Sequence, residues 1–192
     1  MLSFIFTNFV RAKASSERIG KVLAEENILK NPEAAASLEK VKGRVDFENV
    51  SFRYANASGE PVLKNLSFSC LPGETLGIIG STGSGKSTLV NLIPRFYDVE
   101  SGRVKVNGVD VRYADTKELR EKIAVVPQKT VLFTGSILEN LRWGKETADL
   151  EEIKTAAAAA QAYSFIETLP EGYDTHLGRG GVNLSGGQKQ RV

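Results

Sequence analysis

GSTGSGKS, residues 80–87, lies between the apolar run ETLGIIG (74–80) and a stretch from about Lys86 to Tyr97 that reads as a helix. Its spacing is G-x-x-x-x-G-K-[ST], and each residue type answers a chemical need. Glycines let backbone N–H groups turn inward around an anion with no Cβ in the way. Lys86 supplies a mobile point charge for β- and γ-phosphates. The Ser87 hydroxyl can ligate Mg2+, and the helix that follows aims its positive end at the triphosphate. The residues expected to touch a nucleotide are Gly80, Ser81, Thr82, Gly83, Ser84, Gly85, Lys86, Ser87 and Thr88. A flexible glycine-serine turn is the competing reading. With Gly at about 7% of residues, the four fixed positions match by chance in roughly one chain in a hundred. The strand before and the helix after are the context the motif demands. The loop speaks for a bound nucleoside triphosphate and does not say what is done with it.

Outward from the loop, RVDFENVSFRY (44–54) places Val45, Phe47, Phe52 and Tyr54 in rough alternation with polar residues, a half-buried strand bulged around Val50. VLKNLSFSC (62–70) repeats the pattern, and Pro72-Gly73 makes a turn. Asn107-Gly108 between RVKV and VDV signals a hairpin. IAVVP (123–127) reads as a buried strand, and from about 135 the chain turns helical, including the alanine run 156–160. Upstream, residues 11–27 show Ala12, Ser16, Ile19 and Leu23 at helical spacing. Asn31-Pro32 breaks that helix, and residues 32–43 read as a linker. No internal repeat is visible.

The 192 residues fit one domain or slightly more, with 41% hydrophobic and 25% charged residues. A net charge of +2 with no long basic run gives no sign of a nucleic-acid partner. Cys70 is the single cysteine, which excludes an internal disulfide framework and a thiolate zinc site. No stretch reaches the ~20 apolar residues of a membrane-spanning helix. The opening MLSFIFTNFV is the one candidate for contact with a bilayer, and Arg11 and Lys13 follow its apolar part. That order suits a helix leaving the cytoplasmic face of a membrane, and it equally suits the start of a short buried helix.

Residues 184–188 read LSGGQ, followed by KQR. Together with the loop at 80–87 they resemble the two ATP-binding motifs of ABC ATPases. PQKTVLFTGSILENL (127–141) is similar to the Q-loop segment of ABC exporters, and AKASSERI (12–19) to the stretch joining their last membrane helix to the nucleotide domain. The resemblance covers residues 44–192 nearly continuously and points to multidrug-type or lipid-type exporters.

The resemblance implies roles that composition and spacing do not. Tyr54 would stack on adenine; packing on an outer strand is the alternative. Gln128 would touch Mg2+ and the attacking water and relay movement toward the membrane part, where the plain alternative is a loop amide after Pro127. Ser185, Gly186, Gly187 and Gln188 would face the γ-phosphate of ATP held by a second nucleotide-binding domain, identical or not, in a head-to-tail pair. Lys86, Gln128 and Ser185 are the expected catalytic residues, with Ser87 and Gln128 the expected metal ligands. The implied cofactors are ATP and Mg2+, and the implied partner within the parent chain is a transmembrane domain. The parent would lie in the cell membrane with this domain on the cytoplasmic side.

Two departures stand out. The family has an apolar strand ending in Asp-Glu beyond the signature, and a histidine switch later still. The chain ends at Val192, and its one histidine, His176, precedes the signature. Arg179 stands where many exporters carry a glutamate. The expected fold is therefore α/β: a P-loop NTPase of the ABC ATPase kind, incomplete at the C-terminus. It would combine an antiparallel β subdomain (about 44–72 and 101–113), a partial parallel core and a helical subdomain from about 129. Three parts are expected: residues 1–10 as the end of a transmembrane helix, 11–43 as helix and linker, and 44–192 as the nucleotide-binding domain. The expected function is ATP hydrolysis powering export. The alternative is a nucleotide-binding module without turnover of its own. A soluble relative acting on DNA or ribosomes fits less well with residues 1–20.

Overall fold

Residues 2–25, 29–38, 43–55 and 57–192 are described by the computed structural model. They fall into two compact units, residues 1–123 and 124–192.

The first unit opens with helix α1, Leu2–Leu23, exposed along its length from Phe4 onward. It joins the apolar opening to the helical spacing seen from residue 11 in one element. Lys21 sits favourably in its last turn. Among the described residues no helix is long and apolar enough to cross a membrane.

Residues 32–38, the nearer part of the linker expected at 32–43, are stitched to the unit together with residues 29–31. Residues 39–42 of that linker lie outside the described residues. Ala36 forms a parallel bridge with Ala114, and Leu38 is buried. The Leu38 N–H donates to Glu118 Oε1 at 3.1 Å, and Lys122 Nζ donates to the Leu38 carbonyl at 2.9 Å. Asn31 donates to Asp115 Oδ2 at 3.0 Å and accepts from the Thr116 N–H at 3.1 Å.

The sheet of this unit has strands β1 (Val45–Phe52), β2 (Leu63–Cys70), β3 (Ser101–Val106) and β4 (Val109–Asp110), all antiparallel in the order β2-β1-β3-β4. The bulge expected in β1 is there: the register shifts on both sides of Val50, and Asn49 takes a φ of 49°. Gly102 of β3 passes so close that a Cβ would lie 2.3 Å from the Asn49 carbonyl oxygen, at a φ of 76°. Asn107 and Gly108, at φ 51° and 83°, make the tight turn between β3 and β4. One face of the sheet buries Phe47, Val50, Phe52 and Val104 against helix α2, Lys86–Leu92, through Leu89 and Leu92. Each such side chain contributes about 1.5–3 kcal/mol on burial. Helix α3, Thr116–Glu121, is capped by Asp115, whose side chain accepts from the N–H groups of Lys117 and Glu118, and it buries Leu119.

The strands expected at 74–80 and 123–127 join no ladder among the described residues. Ile79 and Val126 are exposed. An apolar run becomes a strand only where a neighbour takes up its N–H and C=O groups, and here neither run has one.

The second unit carries β5 (Gly135–Ser136), α4 (Ile137–Arg142), α5 (Leu150–Ala159), α6 (Tyr163–Ile166), β6 (His176–Leu177) and α7 (Gly186–Arg191). β5 and β6 pair antiparallel. Ile137, Ile153, Ala157, Ile166, Leu177 and Leu184 form its core. Of the alanine run only Ala157 is buried, beside Ile153, and α5 stops where Gln161 turns left-handed at φ 57°. Capping boxes start three helices: Ser136 with Glu139, Asp149 with Glu152, and Ser185 with Gln188.

Candidate functional site

Two left-handed glycines shape the loop at 80–87, Gly83 at φ 83° and Gly85 at φ 88°. Gly85 is also the N-cap of α2, and no side chain caps that end. The first-turn N–H groups are thus left for an outside acceptor. Space is tight at both ends of the loop. A Cβ on Gly80 would lie 2.5 Å from Ser84 Oγ, and one on Gly85 would lie 2.9 Å from Leu63 Cδ2 of β2.

Lys86 folds back over the loop. Its Nζ donates to the carbonyl oxygens of Gly80 at 2.8 Å and Ser81 at 2.7 Å. The ammonium is thus held over the loop by neutral oxygens alone, with Ser84 Oγ a third at 3.5 Å. Ser81, Thr82, Gly83, Ser84 and Ser87 are exposed, while Thr88 is buried under them.

Tyr54 belongs to this neighbourhood. Its hydroxyl lies 2.9 Å from Thr88 Oγ1, in the first turn of α2. Its ring meets Phe52 and Tyr97 edge-on, with centroids 4.9 and 5.1 Å away. Sequence reasoning singled out Tyr54 and missed Tyr97. Tyr97 closes the aromatic cluster from beyond α2, and no motif marks it.

Gln128 and residues 185–188 lie in the second unit. The Gln128 side chain is exposed, and its amide has no hydrogen bond among the described residues. Gln128 and Gly186 line one cleft of about 310 Å3, together with Lys129 and Lys189. Ser185 Oγ accepts from the Gln188 N–H at 3.3 Å, and Gln188 Oε1 accepts from the Ser185 N–H at 2.8 Å. The two ends of the signature thus hold each other. Gly186 and Gly187 form the first turn of α7, and a Cβ on either would meet nothing within 4 Å. Nothing in the chain's own packing calls for glycine there, although glycine is a poor helix former.

Asn140 was not foreseen. It is buried at 9% exposure and organises the segment after Gln128. Its Oδ1 accepts from the Phe133 N–H at 2.8 Å, and its Nδ2 donates to the carbonyls of Phe133 and Ser136 at 3.0 and 2.9 Å. Among the described residues no cluster of three or more His, Cys, Asp or Glu could hold a metal ion.

A profile of the ABC transporter family matches residues 63–192. The chain is 50% identical over 192 residues to the "Uncharacterized ABC transporter ATP-binding protein YfiB" of Bacillus subtilis, covering 100% of this chain and 33% of that protein. It is 44% identical over 188 residues to "ATP-binding cassette sub-family B member 6" of Homo sapiens, covering 98% of this chain and 22% of the other. It is 43% identical over 179 residues to the "ATP-dependent lipid A-core flippase" of Desulfotalea psychrophila, covering 93% and 31%. Among solved structures, a bacterial Atm1-family ABC exporter with ATP bound superimposes with a TM-score of 0.84 at 34% identity, covering 100% of this chain and 33% of that one. The chain thus spans about a third or less of the length of these proteins.

Proposed function

The chain belongs to the ABC transporter family, and on that premise we propose that it supplies the ATP-binding and ATP-hydrolysing domain of an exporter, driving a substrate across a membrane. The observation that carries this reading is the cradle at 80–87. Left-handed glycines, an uncapped helix start and the Lys86 ammonium converge on one exposed mouth.

In this reading Lys86 leaves the Gly80 and Ser81 carbonyls and moves onto the β- and γ-phosphates. There it offsets charge on the equatorial oxygens as the γ-phosphoryl passes to water, giving ADP and phosphate. The uncapped amides of α2 take the phosphate oxygens. Tyr54 stacks on adenine beside Thr88. The Ser87 hydroxyl is an exposed hard oxygen donor in the first turn of α2. It suits Mg2+, which takes few protein ligands and completes its shell with phosphate oxygens and water. Bound there, the ion would supply positive charge that offsets the charge developing on the phosphates. Gln128 would add its amide oxygen and orient the attacking water.

The signature covers the other side of a nucleotide. Ser185 and the N–H groups of Gly186 and Gly187 would approach the γ-phosphate of ATP held by a second nucleotide-binding domain arranged head to tail. The empty space around both glycines supports a close approach from outside the chain. A transmembrane domain in the same parent chain would place this domain on the cytoplasmic side of the membrane. α1, exposed along its length, would be its point of entry.

The test uses the full-length parent. Lys86→Ala is expected to lower both ATP affinity and phosphate release, and Ser185→Ala to spare binding at the subunit's own loop while slowing release about tenfold or more. Unchanged turnover in both variants would end the proposal.

A further inference from the structure

Gln190 crosses a seam in the second unit. Its Nε2 donates to the carbonyl oxygens of Pro127 at 3.5 Å and Gln128 at 3.4 Å. Among the described residues no other hydrogen bond joins residues 127–131 to 185–192. Beside this contact the two segments part to form the cleft shared by Gln128, Gly186 and Lys189. Thr130 Oγ1, from the same wall, is buried without a partner. The rest of α7 is held by other means. Leu184 packs into the core, and the Arg191 guanidinium lies 5.4 Å from the Phe165 ring centroid.

The seam joins two pieces of chain with different assignments. Gln128 serves the nucleotide in the subunit's own loop. Ser185–Gln188 serve the nucleotide of the partner. One side-chain amide bridges them, at 3.5 and 3.4 Å. The unpartnered Thr130 hydroxyl marks the same seam as one whose polar groups have a second arrangement to gain.

Building on the function proposed above, we propose that Gln190 is a positioning residue that couples the two ATP sites of a dimer. It holds the Gln128 backbone in register with the Ser185–Gln188 turn. Engagement of Gln128 by one ATP then sets the placement of the turn that covers the other. Coupling of this kind is reciprocal, since each ligand shifts the other's affinity by the same factor.

The experiment measures ATP hydrolysis against ATP concentration in the full-length parent, unsubstituted and as Gln190→Ala, Gln190→Glu and Gln190→Lys. Glutamate keeps the shape and removes the donor. Lysine restores a donor of similar reach. The unsubstituted protein is expected to be cooperative. The Ala and Glu variants should lose cooperativity, with a Hill coefficient falling to about 1 and a kcat at least about fivefold lower. The Lys variant should recover most of both. Affinity for trinitrophenyl-ATP at the subunit's own loop should stay within about twofold in all of them. Should Gln190→Ala fail to fold, the isosteric Glu variant still decides. The inference is overturned if the Glu variant keeps the parental kcat and Hill coefficient, if the Lys variant is as impaired as the Glu variant, or if the unsubstituted protein is not cooperative. No ATP turnover at all in the unsubstituted parent would overturn the functional reading itself, and the coupling with it.

Discussion

Gly186 and Gly187 stand in the first turn of a helix, with open space where their side chains would be. Gly85 and Gly102 differ: positive φ and close neighbours explain both. At 186 and 187 the chain's own packing gives no such reason, and on the proposed function that separates stability from activity. Gly186→Ala or Gly187→Ala should leave the fold intact or stabilise it by about 0.5–1 kcal/mol, as alanine loses less backbone entropy in a helix. On the proposed function the same change should lower ATP turnover of the full-length parent about tenfold or more, because a methyl group would stand where the proposal brings a phosphate close. Denaturant unfolding and phosphate release, measured on the same preparations, check the two halves. A variant that loses stability and activity together would place the glycines' role inside the fold.

Among the elements, the legible ones are those whose signals are local. Asn107-Gly108 and the bulge of β1 could be read from neighbouring residues, as could the helix expected over 11–27, although α1 ends at Leu23. The cradle at 80–87 was legible for the same reason, since its parts are contiguous. What escaped reading depends on partners far along the chain. Asn31 meets Asp115 and Leu38 meets Glu118, 84 and 80 positions away, so residues 32–38 looked like a linker and are packed, together with Asn31 before them. Gln190 reaches back 62 positions to Gln128. Runs 74–80 and 123–127 carried the apolar content of strands, but apolar content does not name a partner. Asn140 falls between these cases, because its partners are near but its burial is not written in its spacing. Asn140→Ala should leave the Phe133 N–H and two carbonyls without their partner and destabilise the second unit by about 2–4 kcal/mol. Asn140→Asp keeps the acceptor, loses both donated bonds and should fall close to it. Thermal unfolding followed by Trp143, the single tryptophan, would report the change from within that unit.

At the scale of the whole molecule, partly buried groups tie stability to pH at both ends of the scale. In the first, hydrogen bonds from Arg44 hold the Asp46 carboxyl below its ordinary range against the opposing effect of burial, helped by Ser69 Oγ at 2.6 Å. Burial alone would raise the Asp110 carboxyl, but hydrogen bonds from the Arg112 side chain and backbone outweigh it and hold that group low as well. Both groups bind a proton less readily folded than unfolded. Their contribution is complete above about pH 5 and is lost as the pH falls through their lowered folded values, below about 4. In the second unit, burial raises the Tyr173 phenol, so its contribution is complete below about pH 10 and is lost as the pH rises through the raised folded value. Circular dichroism of the whole chain should show acid loss of sheet that Asp46→Asn makes less steep. Trp143 fluorescence should report an alkaline transition that Tyr173→Phe weakens. The anchorage of residues 29–38 has a mechanical consequence. Arg95 Nη2 grips the Lys30 carbonyl at 3.3 Å, Asn31 grips Asp115, and Lys122 grips Leu38. A tug on α1 is therefore shared among several cleats fixed to α3 and to the turn just past α2. Tension arriving from that end would move the first unit as a block, with the ATP cradle at the far end of α2 carried along rather than torn loose.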